Sequence, residues 1–294
     1  MSAYCRHAET DTPIDWEAAL PLDVQTDHEL NLVDSDTESN LVVFAEYAAA
    51  AYHNVEGWNC NACTKTNRTE NTTVIKQFSQ MYPSSNGYLA VNDRLKRIIL
   101  GFRGSRSVLS YVSDLKIKMT QWPPSQPESY VHSGFLDVYL ASFEHFHTLV
   151  EEELIRRPDY TLAITGHSLG GAVSVLAAID LALKHPELTG RVELYTYGQP
   201  RVGNRYMALL FDSLPLASAF RVTNMQDVVP RLPLRSWGYS NFNHEYWIRT
   251  DDVKLVHCAV EEKLETELCS LSSQELPSHR WLTQHLKFWD VVFW

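Results

Sequence analysis

Apolar and polar positions follow two rhythms along this chain. Leu41–Tyr52 is an almost unbroken apolar stretch and predicts a helix. Val74–Gln80, Gly87–Asn92 and Arg97–Phe102 are short runs parted by turn residues and predict consecutive strands. Phe135–Arg157 carries a helical period and predicts a long amphipathic helix. Tyr160–Thr165 has the length and composition of a buried strand. It passes through Gly166-His167-Ser168-Leu169-Gly170 into Ala172–Ile179, an apolar helix. Val192–Tyr197 predicts a strand, Arg205–Leu214 a helix and Ala219–Asn224 a strand, while Tyr246–Arg249 and Val253–His257 suit a hairpin. Strands alternating with helices predict an α/β protein, with one mostly parallel sheet covered by helices on both faces. No internal repeat, low-complexity tract or Gly/Ser linker follows residue 41.

The beginning has a different texture. Acids are scattered through it, and it ends in the polar run Asp34–Asn40. Residues 1–37 are therefore expected to be an acidic extension, a candidate pro-segment, with at most a short helix around Trp16–Leu20. Residues 38–294 are expected to form the main domain.

Composition narrows the functional classes. Apolar residues make up 45% of the 294 and charged residues 21%, which suits a well-filled core. The formal net charge of −11 argues against nucleic acid and against charge-driven binding to anionic membranes. It does not oppose a neutral oil or sugar surface. No apolar run approaches the ~20 residues that span a bilayer.

The five cysteines are Cys5, Cys60, Cys63, Cys258 and Cys269, so at least one is unpaired. Cys60-Asn61-Ala62-Cys63 reads as half a zinc site, a redox pair or a short structural disulfide. No second half completes a zinc site, and the setting is not thioredoxin-like. Two N-x-[ST] triplets, at Asn67 and Asn71, are glycosylation candidates; with paired cysteines they favour an oxidising, secretory compartment. Met1–Cys5 is not followed by an apolar h-region, so a secreted form is expected to have lost its signal already.

The chemistry centres on Gly166-His167-Ser168-Leu169-Gly170. A serine between two glycines at a strand-to-helix turn is the nucleophile-elbow pattern. The turn brings strand and helix backbones together, so side chains at Gly166 and Gly170 would collide. The serine is expected in a strained conformation, with the following helix aiming its first amides at a developing oxyanion. An activated serine needs a base, and the base an orienting acid. In this architecture the acid follows a later strand at the sheet's carboxyl edge. Asp227 fits, just after Ala219–Asn224; Asp180 and Asp212 fall inside helix patterns. His244, His257, His279 and His285 compete for the base. His257 sits in a strand beside a cysteine and His279 in a polar loop. His285 precedes an aromatic C-terminus that should dock on the body, and His244 stays open beside it. No convincing metal-ligand cluster is visible, and neither metal nor cofactor is expected.

From about residue 40 onward the chain resembles the fungal class 3 (filamentous-fungus type) triacylglycerol lipases. The resemblance rests on Phe44–Tyr52, Gly101–Ser105, His132–Phe135, Thr165–Ala172, Tyr197–Asn204, Asp227–Pro233, Glu245–Ile248 and His285–Trp289, in the family's order and spacing. It implies an α/β-hydrolase fold with Ser168 as nucleophile, Asp227 as acid and His285 as base. It also implies an oxyanion hole from the Leu169 backbone N–H and from Ser105, by backbone and hydroxyl. The family's lid would occupy residues 106–118. There Val108, Leu109, Val112 and Leu115 fall on one helical face, and Tyr111 adds to the apolar set. An ordinary amphipathic surface helix would read the same way.

The resemblance further pairs Cys60 with Cys63 and Cys258 with Cys269. The family cysteine after Tyr52 is His53 here, so a disulfide to the C-terminus is missing. Phe288, Trp289, Phe293 and Trp294 are expected to take over by docking. The implied activity is hydrolysis of acylglycerols at a lipid–water interface by a secreted monomer. An esterase for soluble or feruloyl esters and a catalytically silent lipid-surface binder are the alternatives.

Overall fold

Successive side chains of a strand face opposite sides of a sheet, and in this computed structural model that alternation separates two cores. The residues described are 31–81, 83–109, 118–249, 252–258, 264–265, 269–272 and 280–294. Along Arg97–Phe102, Ile98 and Leu100 enter one core and Ile99 the other. Leu162 and Ile164 likewise part from Ala163, and Leu194 from Tyr195 and Tyr197. Strands buried on both faces read as continuous apolar runs, the pattern of central parallel strands.

These strands belong to a nine-stranded sheet. In chain order they are β1 (Asn31–Leu32), β2 (Thr72–Gln80), β3 (Ser85–Asn92), β4 (Arg97–Phe102), β5 (Thr161–His167), β6 (Val192–Tyr197), β7 (Ser218–Asn224), β8 (Glu245–Ile248) and β9 (Leu255–Cys258). The spatial order is β1-β9-β8-β7-β6-β5-β4-β3-β2. β4 to β8 are mutually parallel. β2–β3–β4 form an antiparallel meander, and β8–β9–β1 close the other side antiparallel. A smaller four-stranded sheet, made from Met119–Gln121, Tyr130–His132, Gly203–Asn204 and Tyr239–Ser240, was not anticipated; its pieces are too short to show a period.

Helices cover both faces. α1 (Ser35–Ala50) lies on one core. Its alanines let it approach β5, where Thr165 Oγ1 donates to the Phe44 carbonyl at 3.2 Å. α2 (Ser133–Arg156) and α3 (Leu169–Lys184) fill the other core. α1 begins well before Leu41. Asp34 caps it, accepting from Asp36 N at 3.1 Å and Thr37 N at 2.8 Å, and Asp36 and Glu38 sit in its first turn. The acidic run is thus a helix start, favoured by cap and macrodipole, that turns apolar only where the helix reaches the sheet. Residues 1–30, Cys5 and the predicted Trp16–Leu20 helix lie outside the described residues.

Both cysteine pairings are present, Cys60–Cys63 and Cys258–Cys269. Phe288 and Phe293 are fully buried, and Trp289 Nε1 donates to Glu38 at 2.8 Å, tying the tail to α1. Trp294 does not dock and is 69% exposed. Asn67 and Asn71 are exposed.

Candidate active site

Parallel strands end together, so the loops after β4, β5, β6 and β7 meet at one edge. The register pairs Phe102 with Gly166, His167 with Tyr197, and Tyr197 with Val222. Beyond these ends lie Gly104, Ser168, Gly198 and Asp227.

Ser168 links β5 to α3 at φ 56° and ψ −125°, a strained value for a residue with a side chain. Its N–H donates to the Tyr197 carbonyl at 2.9 Å. The flanking glycines behave as the pattern requires. A Cβ at Gly166 would strike the Gly170 backbone, and one at Gly170 would strike the Phe102 carbonyl. Leu169 opens α3, where a helix's first N–H groups have no partner within the helix.

Asp227 and His285 come together, His285 Nδ1 donating to Asp227 Oδ2 at 2.8 Å. Asp227 Oδ1 accepts from Val229 N at 2.9 Å, which fixes the carboxylate plane. His285 sits in the short helix Trp281–Leu286. Asn224 at the end of β7 anchors that helix, its Nδ2 donating to the Gln284 and Lys287 carbonyls, both at 2.8 Å. His285 Nε2 and Ser168 Oγ are both buried and make no hydrogen bond in this state. With Nδ1 donating to a carboxylate, Nε2 carries the lone pair a general base needs.

Three residues missed at the sequence level complete the site. His167 Nε2 donates to the His285 carbonyl at 2.8 Å, so its Nδ1 accepts from the Tyr52 hydroxyl at 2.7 Å. Its ring stacks on Phe293, centroids 4.1 Å apart. Burial, with His285 beside it, pushes the His167 pKa well below the ordinary histidine value, so this imidazole is neutral. Burial pushes the Tyr52 phenol up and keeps it a donor. Gly198, at φ 55°, is the third. A Cβ there would lie 2.9 Å from both Asp227 Oδ2 and His285 Nδ1. A glycine closing a predicted strand at the carboxyl edge was the available signal for it.

The loop before Ser105 lies against the nucleophile: a Cβ at Gly104 would stand 3.2 Å from Ser168 Cβ. The Ser105 hydroxyl pairs with Ser107, donating to its carbonyl at 3.2 Å and accepting from its N–H at 3.3 Å. Arg201 braces the opposite side, donating to the Arg231 carbonyl and, at 2.9 Å, to the Pro233 carbonyl in the loop that follows Asp227. Val108 is buried with Val228, Val229, Leu232 and Leu234, and Trp281, Leu282 and Leu286 of the His285 helix pack around them. Leu109 does not share that cover and is 58% exposed, because neighbouring helical residues point about 100° apart. Tyr111, Val112 and Leu115 lie outside the described residues.

The competing residues fall elsewhere. His244 precedes β8, at the amino edge of the parallel strands, and its Nδ1 lies 3.3 Å from His257 Nε2. Asp180 accepts from Tyr139 and Lys184, and Asp212 from Asn243 N. His279 lies outside the described residues.

A central parallel sheet, a nucleophile elbow after β5 and a carboxylate–histidine pair at the same edge define an α/β-hydrolase. Residues 99–237 match the family model for class 3 lipases. The chain is 32% identical over 253 residues to the lipase of Rhizopus niveus, covering 84% of this chain and 62% of that protein. It is 33% identical over 231 residues to secreted mono- and diacylglycerol lipase A of Penicillium cyclopium, covering 72% and 73% respectively. Among solved structures it superposes, with a TM-score of 0.82 and 31% identity, on a triacylglycerol lipase whose catalytic centre is a serine protease triad, covering 90% of this chain and 98% of that one. The chain belongs to the class 3 lipase family. It spans about 62% of the length of the Rhizopus niveus relative. Among the described residues, no helix is long and apolar enough to cross a membrane.

Proposed function

We propose that the protein is a secreted hydrolase of acylglycerol esters acting at a lipid–water interface. Ser168 is the nucleophile, His285 the base and Asp227 the orienting acid. The buried Asp227–His285 pair at 2.8 Å, beside a serine at positive φ, carries this reading. His285 Nε2 takes the Ser168 proton as Oγ attacks the ester carbonyl, and returns it to the leaving alcohol. Asp227 holds the imidazole tautomer and stabilises its charged form. Water then attacks the acyl-serine by the same proton path. The Leu169 N–H and the Ser105 N–H receive the oxyanion; the Ser105 hydroxyl joins them by leaving its turn with Ser107.

The apolar patch around Val108 supports a lipid surface as the substrate's setting. The segment 106–118 is the lid under this reading, and displacing its Val108 uncovers Val228, Val229, Leu232 and Leu234. Neither metal nor cofactor enters these steps. Secretion suits the paired cysteines, and the exposed Asn67 and Asn71 are the glycan positions under this reading.

Hydrolysis of a short-chain triglyceride, followed through its solubility limit, tests the proposal. A rate jump above the limit, abolished in Ser168→Ala, is expected. A flat curve identifies a soluble-ester hydrolase instead. Retained hydrolysis by Ser168→Ala refutes the nucleophile, and an inactive wild type leaves only lipid-surface binding.

A further inference from the structure

A second polar cluster forms at the end of α3 far from Ser168; a helix of 16 residues spans about 24 Å. His147 and Glu151 lie one turn apart on α2 and share a face. His185 is the C-terminal cap residue of α3 and packs against that face. Glu151 Oε1 stands 3.4 Å from His147 Nε2 and 2.6 Å from His185 Nε2. Both Nε2 atoms are shielded from solvent, and neither contact has the alignment of a hydrogen bond. Glu151 Oε1 thus lies close to both imidazole nitrogens. All three ligand atoms lie within 4.8 Å of one another, so small side-chain rotations bring them to one cation at bonds of about 2.0–2.2 Å.

The cluster is held in advance. His185 N donates to the Leu181 carbonyl at 2.8 Å, and its own carbonyl accepts from Leu188 N at 2.9 Å. Glu187 Oε1 lies 3.6 Å from His185 Nδ1, where metal-binding imidazoles commonly keep a carboxylate. The His147 ring lies 4.3 Å from that of Phe143. The nearby Lys184 ammonium is engaged by Asp180 at 2.8 Å and by the Phe143 ring at 4.1 Å. The three side chains keep 20–28% of their surface, so a small rotation of the rings opens their Nε2 atoms to an ion.

We propose that His147, Glu151 and His185 form a binding site for a divalent transition-metal cation of the zinc class, clasping α2 to the end of α3. Two imidazoles and one carboxylate suit zinc, nickel or copper rather than calcium or magnesium. The three ligands leave room for water, and the distance from Ser168 makes the site structural. Its spacing is invisible in the sequence because His185 arrives from another helix.

The test is calorimetric titration of the chelator-treated full chain with Zn²⁺, paired with the visible spectrum of the Co²⁺ form. One equivalent is expected to bind. Binding is lost in His147→Ala, Glu151→Gln and His185→Ala, and is unchanged in His244→Ala. Zinc at a hundredfold excess over Kd raises Tm by roughly 5 °C in the wild type and not in those three variants. Absence of binding by the wild type overturns the site. So does one equivalent that survives all three substitutions or disappears in His244→Ala.

Discussion

Two fully buried histidines, His167 and His285, pack against each other at the carboxyl edge of the sheet, and the two surroundings put the same side chain to opposite uses. The rings are 4.5 Å apart. His285 faces a carboxylate with one nitrogen and keeps the other unpaired. His167 has both nitrogens engaged, by the Tyr52 hydroxyl and the His285 carbonyl, and among the described residues no carboxylate contacts it. Under the proposed mechanism, the carboxylate on its other nitrogen lets His285 take the serine proton. Neutral partners and burial hold the His167 side neutral, so it positions the base without competing for the proton. Proximity to the nucleophile does not make a base; the partner on the second nitrogen does.

The contrast can be broken most severely at Asp227. Asp227→Asn keeps the shape but lets Nδ1 lose its donor role, and kcat is expected to fall ~10⁴-fold with little change in KM. Steady-state kinetics beside a thermal melt checks this, and a loss below tenfold would remove Asp227 from the triad. Gly198→Ala acts on the same side by geometry. Its Cβ would press on both members of the pair, and a displacement approaching 1 Å is expected to cost ~10² in kcat. Kinetics at wild-type levels would show that the loop yields freely.

The smallest effect sharpens the His167 side. A histidine whose pKa is lowered on folding contributes stability that is full above its unfolded pKa and lost as pH falls below about 6.5. Melts between pH 8 and pH 5 should show this decline. His167→Gln is expected to cost about 1–3 kcal/mol at pH 8 and to flatten the decline. Burial lowers His147 and His257 as well, so a residual slope remains. An unchanged slope in His167→Gln would show that other groups carry the pH dependence.

Legibility followed sequence distance. The elbow could be read because strand, turn and helix lie within a few residues and the glycines' collisions are local. Asp227 could be read because the acid follows a strand end, and parallel strands place such ends together. The start of α1 at Ser35 was missed, though its apolar part was predicted, because its first turns face solvent and rest on a cap, which apolar periodicity cannot show. His167 was hidden in plain view, occupying the motif's unspecified position while its partners come from α1 and the C-terminal tail. The choice of His285 over His244 could not come from spacing alone. It depends on which edge of the sheet each reaches, and His244 precedes a parallel strand whereas His285 is tethered to the end of β7 by Asn224.

By itself the sequence determined the two-faced sheet, the strained serine and the apolar character of the residues after Ser105. Those properties come from side-chain alternation, glycine sterics and hydrophobic period, all set within a few residues. Only the tertiary structure showed that His285 pairs with Asp227, that His167 packs against it, that a side chain at Gly198 would press on that pair, and that His147, Glu151 and His185 come together. Each of these is a contact between segments far apart in the chain, created when helices and tail pack onto the two faces of one sheet.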